Sequence, residues 1–227
     1  MTDSTPARVA VAIMAKTPMA GEVKTRLCPP LSPDEASELY QCFLLDKIAQ
    51  LRAIASASPV IAFTPQGGRD VFERMAPGFE LIAQRGPDLG SRLLNILSAL
   101  LGDGYQAALA IDSDTPTLPS EFLIQAIDVV SDPAIDVVLG PTDDGGYYLI
   151  GMSRPWPALF ENMPWSTADV LPETIRRAEA AGLRVACLPP WFDVDIPGDL
   201  ERLRGSLTAA GGEAARHTRR FLTARRV

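Results

Sequence analysis

The sequence predicts one α/β domain built on a mixed, mostly parallel sheet, and three observations carry that expectation. Short apolar or β-branched runs alternate with amphipathic stretches along most of the chain, the pattern of βαβ units. At 227 residues and 47% apolar composition, the chain can bury a sizeable core and sits at the upper end of what one domain holds. Residues 140–151, GPTDDGGYYLIG, break the alternation with two strand-like runs joined by a short Asp/Gly turn, so a locally antiparallel pair is expected there.

Strands are expected at residues 9–14, 60–64, 80–83, 107–111, 136–139, 147–151 and 184–188, with helices between most of them. The first helix is signed by Ser32-Pro33-Asp34-Glu35, a serine N-cap, a proline at the first helical position and a glutamate completing a capping box; it should run to about Arg52. Another, from about Leu89 to Leu101, carries Leu89, Leu93, Leu97, Leu100 and Leu101 at helical spacing, an ordinary core stripe. Further helices should run from after Pro119 to Val130, over about residues 168–181, and from Pro197 onward. No internal repeat or low-complexity linker divides residues 1–227, so one domain is expected.

Charge and composition narrow the partners. With 28 acidic against 21 basic side chains and a net charge of -7, the chain lacks the positive field that nucleic-acid backbones attract. The local exception is the segment 209–227, where Arg216, Arg219, Arg220, Arg225 and Arg226 face the single Glu213; it is expected as a solvated or loosely docked terminal helix, or else as a contact for a partner or phosphate. Cys28, Cys42 and Cys187 show no CxxC spacing and suit a reducing compartment. The first fourteen residues lack a signal-peptide pattern and no segment reaches 18 apolar residues, so a cytoplasmic protein without membrane contact is expected.

Absences narrow the chemistry. The chain has no GxGxxG, GxxxxGK[ST] or GxSxG motif, and its one histidine, His217, lies in the basic segment. The remaining tools are carboxylates, cations and glycine-shaped backbone, concentrated after the parallel strands, where open α/β sheets bind ligands. Lys16, Lys24 and Arg26 surround Gly21 after the first strand and could hold phosphate oxygens, or simply be solvated. Asp112 and Asp114 follow the fourth strand; two residues apart in extended backbone, they could face one Mg²⁺ or Mn²⁺, or close an Asx-type turn before Pro116. Thr117 and Ser120 are better placed to cap the following helix. Asp193 and Asp195 repeat the alternation before Pro197, where Asp195 could also cap a helix.

These residues carry a resemblance. Asp114-Thr-Pro-Thr-Leu118 resembles the Asp-x-Pro-x-Leu element of GT-A-type nucleotidyltransferases, and Asp112-Ser-Asp114 resembles the Asp-x-Asp motif of GT-A glycosyltransferases. Asp193-Val-Asp-Ile-Pro-Gly-Asp-Leu200 is similar to the ending that supplies the second metal ligand in that superfamily, at Asp195. The order of Lys24-Thr-Arg-Leu27, Leu89-Gly-Ser-Arg92, Asp144-Gly-Gly-Tyr147 and Trp165-Ser-Thr167 is similar to a bacterial family of GT-A-like transferases. That family is associated with radical-SAM gene clusters and named for arsenosugar biosynthesis; phospholactate guanylyltransferase shares a similar basic loop and Asp-Gly-Gly element.

The resemblance covers about residues 8–205 and implies a three-layer α/β/α GT-A (Rossmann-like) fold of the nucleotide-diphospho-sugar transferase superfamily. It implies a Mg²⁺- or Mn²⁺-dependent glycosyltransferase with a nucleotide-activated donor and a small-molecule acceptor. Asp114 would hold the metal, with Asp112 assisting or contacting ribose, and Asp195 would be the second ligand or a base. Lys16, Lys24 and Arg26 would hold phosphates, with Gly90 and Arg92 in the nucleotide pocket. Asp144, Gly145, Gly146, Tyr147 and Trp165 would shape the acceptor side, Tyr147 and Trp165 being equally compatible with core packing. Two positions depart from the pattern: Pro18-Met-Ala-Gly21 replaces a GxGT-type loop, which argues against nucleotidyl transfer, and Ile196 replaces a threonine. Nucleotidyl transfer from an NTP, and nucleotide binding without turnover, are the competing functions; the oligomeric state is open.

Overall fold

A computed structural model describes residues 9–209 and 214–225. Seven strands, β1 (Val9–Lys16), β2 (Ala57–Thr64), β3 (Glu80–Ala83), β4 (Ala107–Ile111), β5 (Val137–Pro141), β6 (Tyr147–Met152) and β7 (Val185–Cys187), form one sheet in the order β3-β2-β1-β4-β6-β5-β7. Every neighbouring pair is parallel except those of β6, which runs antiparallel to both β4 and β5. All seven expected strands are present, and the short turn in residues 140–151 does produce the antiparallel pair.

The strand order reverses at β1, with β2 to one side and β4 to the other, which opens a crevice at their carboxyl ends. Because β6 is reversed, its beginning lies beside the end of β4: Ile111 pairs with Leu149, and the Asp112 N–H donates to the Tyr148 carbonyl at 2.9 Å. The turn before β6 is thereby delivered to the same edge as the aspartates after β4.

Among the described residues, seven helices cover the two faces: α1 (Pro33–Ala53), α2 (Arg69–Met75), α3 (Leu89–Gly102), α4 (Ser120–Val130), α5 (Val170–Ala180), α6 (Pro197–Ala209) and α7 (Arg216–Ala224). Alternation along β1 builds both cores. Val9, Val11 and Ile13 pack with residues of α1, α4 and α6, while Ala10 and Ala12 pack with the leucine stripe of α3 and with Ala178 of α5. The result is the expected three-layer α/β/α arrangement.

The local signals hold where they are strongest. Both bonds of the capping box form, Glu35 N–H to Ser32 Oγ at 3.2 Å and Ser32 N–H to Glu35 Oε2 at 2.8 Å. Three expectations need correction. The α4 start has no side-chain cap; Thr117 Oγ1 instead accepts from the Trp191 indole at 3.4 Å and Ser120 Oγ from Gln50 at 3.3 Å. Leu89 leaves the core stripe and is 46% exposed, because the first turn of α3 projects into the crevice. Helix α2 has no counterpart in the expectations: seven residues behind Gly67-Gly68 are too few to show helical periodicity.

Residues 214–225 of the basic segment are docked on α1. The carboxylate of Asp46, buried in α1, accepts the N–H groups of His217 and Thr218, both at 2.9 Å, and the Thr218 hydroxyl at 2.6 Å. It satisfies orphan donors at the start of α7 and meets the positive end of that helix dipole. Arg225 closes the other end on Glu38 at 2.6 Å. Glu213 and Arg226 lie outside the described residues. The three cysteines are unpaired, and among the described residues no helix is long and apolar enough to cross a membrane.

Candidate active site

The crevice at the carboxyl ends of β1 and β4 holds a cavity of about 320 Å³ lined by Lys16, Lys24, Arg26, Arg92, Asp114 and Asp195, among others. The end of β1 and the segment after it, the start of α3, the segment after β4 and the segment before α6 converge on it. After β4, the backbone carbonyl of Asp114 accepts from the Val194 N–H at 3.0 Å. The segment carrying Val194 is itself held along β5, with Trp191 N–H donating to Pro141 at 3.0 Å and Asp143 N–H to Trp191 at 3.1 Å. Trp191 is anchored edge-on against Phe122. This backbone register brings Asp195, 81 positions beyond Asp114 in the numbering, to the same point in space.

At that point lies the Lys24 ammonium, 2.7 Å from a carboxylate oxygen of Asp114 and 2.7 Å from one of Asp195. Its side chain is only 5% exposed. Burial works to lower its pKa, but the charges of Asp114 and Asp195 outweigh burial and hold it above the usual lysine range. Beside this contact, Asp199 in the first turn of α6 reaches back, its Oδ2 accepting the N–H groups of Asp195 and Ile196 at 2.9 and 2.8 Å.

Asp112 does not join the pair. Its carboxylate turns the other way and accepts the Thr115 hydroxyl at 2.6 Å, with the Lys47 ammonium 3.9 Å off. Burial raises the Asp112 pKa and lowers that of Lys47. Asp112 therefore stands apart from Asp114 and Asp195, with which it was expected to form one set, and among the described residues no group of three or more His, Cys, Asp or Glu side chains is disposed to hold a metal. The physical reason is that consecutive residues after β4 leave extended geometry in the turn toward Pro116, so the two-residue alternation no longer places both carboxylates on one side.

Lys16 lines the cavity from the end of β1, Arg26 from the segment that follows, and Arg92 from the first turn of α3, its Nε donating to the Gly86 carbonyl at 3.1 Å. Gly90 lies just behind that turn: a Cβ there would come within 2.6 Å of the Phe160 carbonyl and 2.9 Å of the Trp165 ring, so glycine lets α3 approach. The expected acceptor residues divide. Asp144 closes its own turn, accepting from Thr142 Oγ1 at 2.6 Å and the Gly146 N–H at 3.0 Å. Gly145, at φ 92, abuts Ala168, while Tyr147 and Trp165 pack edge to face with ring centres 6.4 Å apart against the second core. Tyr147 and Trp165 hold the turn in place, and neither they nor Asp144, Gly145 and Gly146 line the cavity.

Several site residues escape sequence inspection. Tyr40 and Lys47 stand on the apolar face of α1 with Phe43, Leu44 and Leu51; polar groups in a core stripe are the signal that was there to find. The Tyr40 hydroxyl accepts the Lys16 N–H at 3.0 Å and lies 3.0 Å from the Ser113 hydroxyl, which reaches Asp114 at 3.4 Å. Gln84 ties the ends of β1 and β2 through bonds to the carbonyls of Ala15 and Ala62. Asp193 is pushed up to about 6 by burial and by the neighbouring charges of Asp144 and Asp195.

The family described as "Uncharacterized protein conserved in bacteria (DUF2064)" matches residues 47–167. No curated protein sequence matches the chain. A solved structure from Desulfovibrio desulfuricans G20, provisionally named a nucleotide-diphospho-sugar transferase, is 30% identical, with 96% of each chain covered and a TM-score of 0.88. A CMP:2-keto-3-deoxy-manno-octonic acid synthetase complexed with CTP is 13% identical over 89% of this chain and 99% of that one, TM-score 0.57. A 4-diphosphocytidyl-2C-methyl-D-erythritol synthase is 14% identical over 89% and 100%, TM-score 0.57. At such identities these last two share the fold with this chain.

Proposed function

The chain belongs to the DUF2064 family, with the fold of the nucleotide-diphospho-sugar transferase superfamily, and on that footing we propose that it is a transferase with a nucleotide-activated donor, moving a sugar from an NDP-sugar to a small acceptor. The observation that carries this is the convergence of Asp114 and Asp195 on one cationic centre, in a cavity that Lys16, Arg26 and Arg92 also line. The likeness to the Desulfovibrio desulfuricans protein supports it, since that similarity extends over nearly the whole of both chains.

The carboxylate pair fits a Mg²⁺ or Mn²⁺ ion: both cations take hard oxygen ligands and leave positions for water and substrate phosphates, and these two oxygens already share one positive charge. Bound there, the ion would neutralise the donor's diphosphate and stabilise the leaving NDP. Asp114 and Asp195 would hold it. Lys16 and Arg26 would orient phosphate oxygens, Arg26 through its planar fork of donors, and Arg92 would close the nucleotide end. Asp112 would act from behind, fixing the turn through Thr115. The turn of Asp144, Gly145 and Gly146, beside the Asp195 segment, would border the acceptor, whose hydroxyl oxygen bonds to the sugar carbon as the bond to the diphosphate breaks and the hydroxyl proton passes to water.

The test is product identification after incubation with Mg²⁺ or Mn²⁺, pooled NDP-sugars and NTPs, and an acceptor extract. Release of an NDP is the expected result. Release of pyrophosphate would instead assign nucleotidyl transfer to the same carboxylates, and binding without any product would leave a nucleotide-binding protein.

A further inference from the structure

We propose that Lys24 is an internal counter-ion that closes the divalent-metal position until a phosphate-bearing ligand draws it away, so that the site takes metal and nucleotide as a pair. The inference rests on the assignment of Asp114 and Asp195 as the metal ligands and concerns what holds their place beforehand.

The geometry is direct. One ammonium sits 2.7 Å from both carboxylates, at the point where an ion ligated by both would have to lie. Lys24 and a divalent ion cannot occupy that gap together: they compete for the same oxygens, and at such separation their charges repel strongly. The lysine is well seated, with its side chain 5% exposed and its ammonium over the Phe43 ring, 5.9 Å from the ring centre. A metal arriving alone must displace it and leave a buried cation with no partner, a costly state.

An anionic ligand changes the balance. Lys24 lies between Gly21 and Arg26 in the segment after β1, and Lys16, Arg26 and Arg92 line the same cavity. Phosphate oxygens attracted by those cations offer the ammonium a second place to bind, within reach of a flexible four-carbon stem. Lys24 then moves from carboxylates to phosphate and the metal takes the vacated oxygens. Metal and nucleotide thereby strengthen each other's binding, and by linkage the two effects are equal.

The test measures Mn²⁺ bound to protein by calorimetry and water-proton relaxation, which separates protein-bound from nucleotide-bound ion. It compares the wild-type chain with Lys24→Met, Lys16→Met and Asp114→Ala, with and without pooled ADP, GDP, CDP and UDP. In the wild type, nucleoside diphosphate should tighten Mn²⁺ binding by about tenfold or more, within the usual range of coupling. Lys24→Met should bind Mn²⁺ alone about tenfold more tightly than wild type and lose most of that coupling, whereas Lys16→Met, which removes a phosphate contact and no counter-ion, should leave the affinity for Mn²⁺ alone within about twofold of wild type.

Wild-type binding of Mn²⁺ that is equally tight without nucleotide would overturn the proposal, and that arm needs no variant to fold. An equal gain in Lys16→Met would overturn it too. If Asp114→Ala abolishes Mn²⁺ binding while Lys24→Met leaves it unchanged, the metal site stands and the counter-ion role falls. Mn²⁺ binding indifferent to Asp114→Ala would remove the metal site itself and the proposal with it.

Discussion

The Lys47 ammonium nitrogen lies 3.9 Å from a carboxylate oxygen of Asp112, in a side chain only 1% exposed and with no hydrogen-bond partner among the described residues. Lys47 is the more deeply buried member, the Asp112 side chain being 22% exposed. Removing one charge leaves the other uncompensated, which costs more than removing both. Lys47→Met should therefore destabilise the chain by about 3 kcal/mol, and the Lys47→Met/Asp112→Asn double variant by less than half of the summed single effects. Urea denaturation of the four-member cycle measures this; strict additivity would mean that the pair is not coupled.

The proposed metal role of Asp114 separates from any structural one. Asp114→Ala should weaken Mn²⁺-dependent nucleotide binding by about ten- to a hundredfold while the circular dichroism spectrum stays that of the wild type. Calorimetry at fixed Mn²⁺ decides: unchanged affinity would count against the site.

Asp46 makes three hydrogen bonds to the start of α7 from within α1. Asp46→Ala strips them and exposes orphan N–H groups in a half-closed interface, so a loss of about 2 kcal/mol is expected. The local consequence is undocking of α7, seen as faster amide exchange in residues 216–224. If exchange there is unaffected, the helix is held by its other contacts, such as Arg225 with Glu38.

The carboxyl of Asp193 binds its proton more tightly in the folded chain than in the unfolded one, its value pushed up to about 6 by burial first and by Asp144 and Asp195 next. With an unfolded value of about 3.9, its contribution to stability is fully present below that pH and is lost as the pH rises through about 6. Asp193→Asn cannot titrate. Its stability relative to wild type should accordingly increase between pH 4 and pH 7 and level off above; a flat difference across denaturation curves at pH 4, 5.5 and 7.5 would refute the assignment.

Gly145 combines φ 92 with a Cβ position 2.3 Å from the Ala168 carbonyl. Gly145→Ala meets both a strained backbone and a backbone clash, and should lower stability by about 2 kcal/mol or more in the same denaturation assay.

By itself the sequence determined the seven strands, the capped first helix and the antiparallel step before β6, because each depends on neighbours within about ten residues: apolar periodicity, Ser32 with Glu35, an Asp/Gly turn. It also nominated Lys24, Asp114 and Asp195 through their places after strands. The tertiary structure alone decided which of those groups meet. Asp195 reaches Asp114 through backbone bonds from Val194 to Asp114 and from Trp191 to Pro141; Lys24 lands between them, and Asp112 turns to Thr115 instead. The same holds for Lys47 beneath Asp112 and Asp46 beneath α7. Contacts between charges far apart in the chain depend on strand order and register, which local periodicity cannot encode, and a lysine's stem length leaves its partner undefined until the surrounding elements have packed.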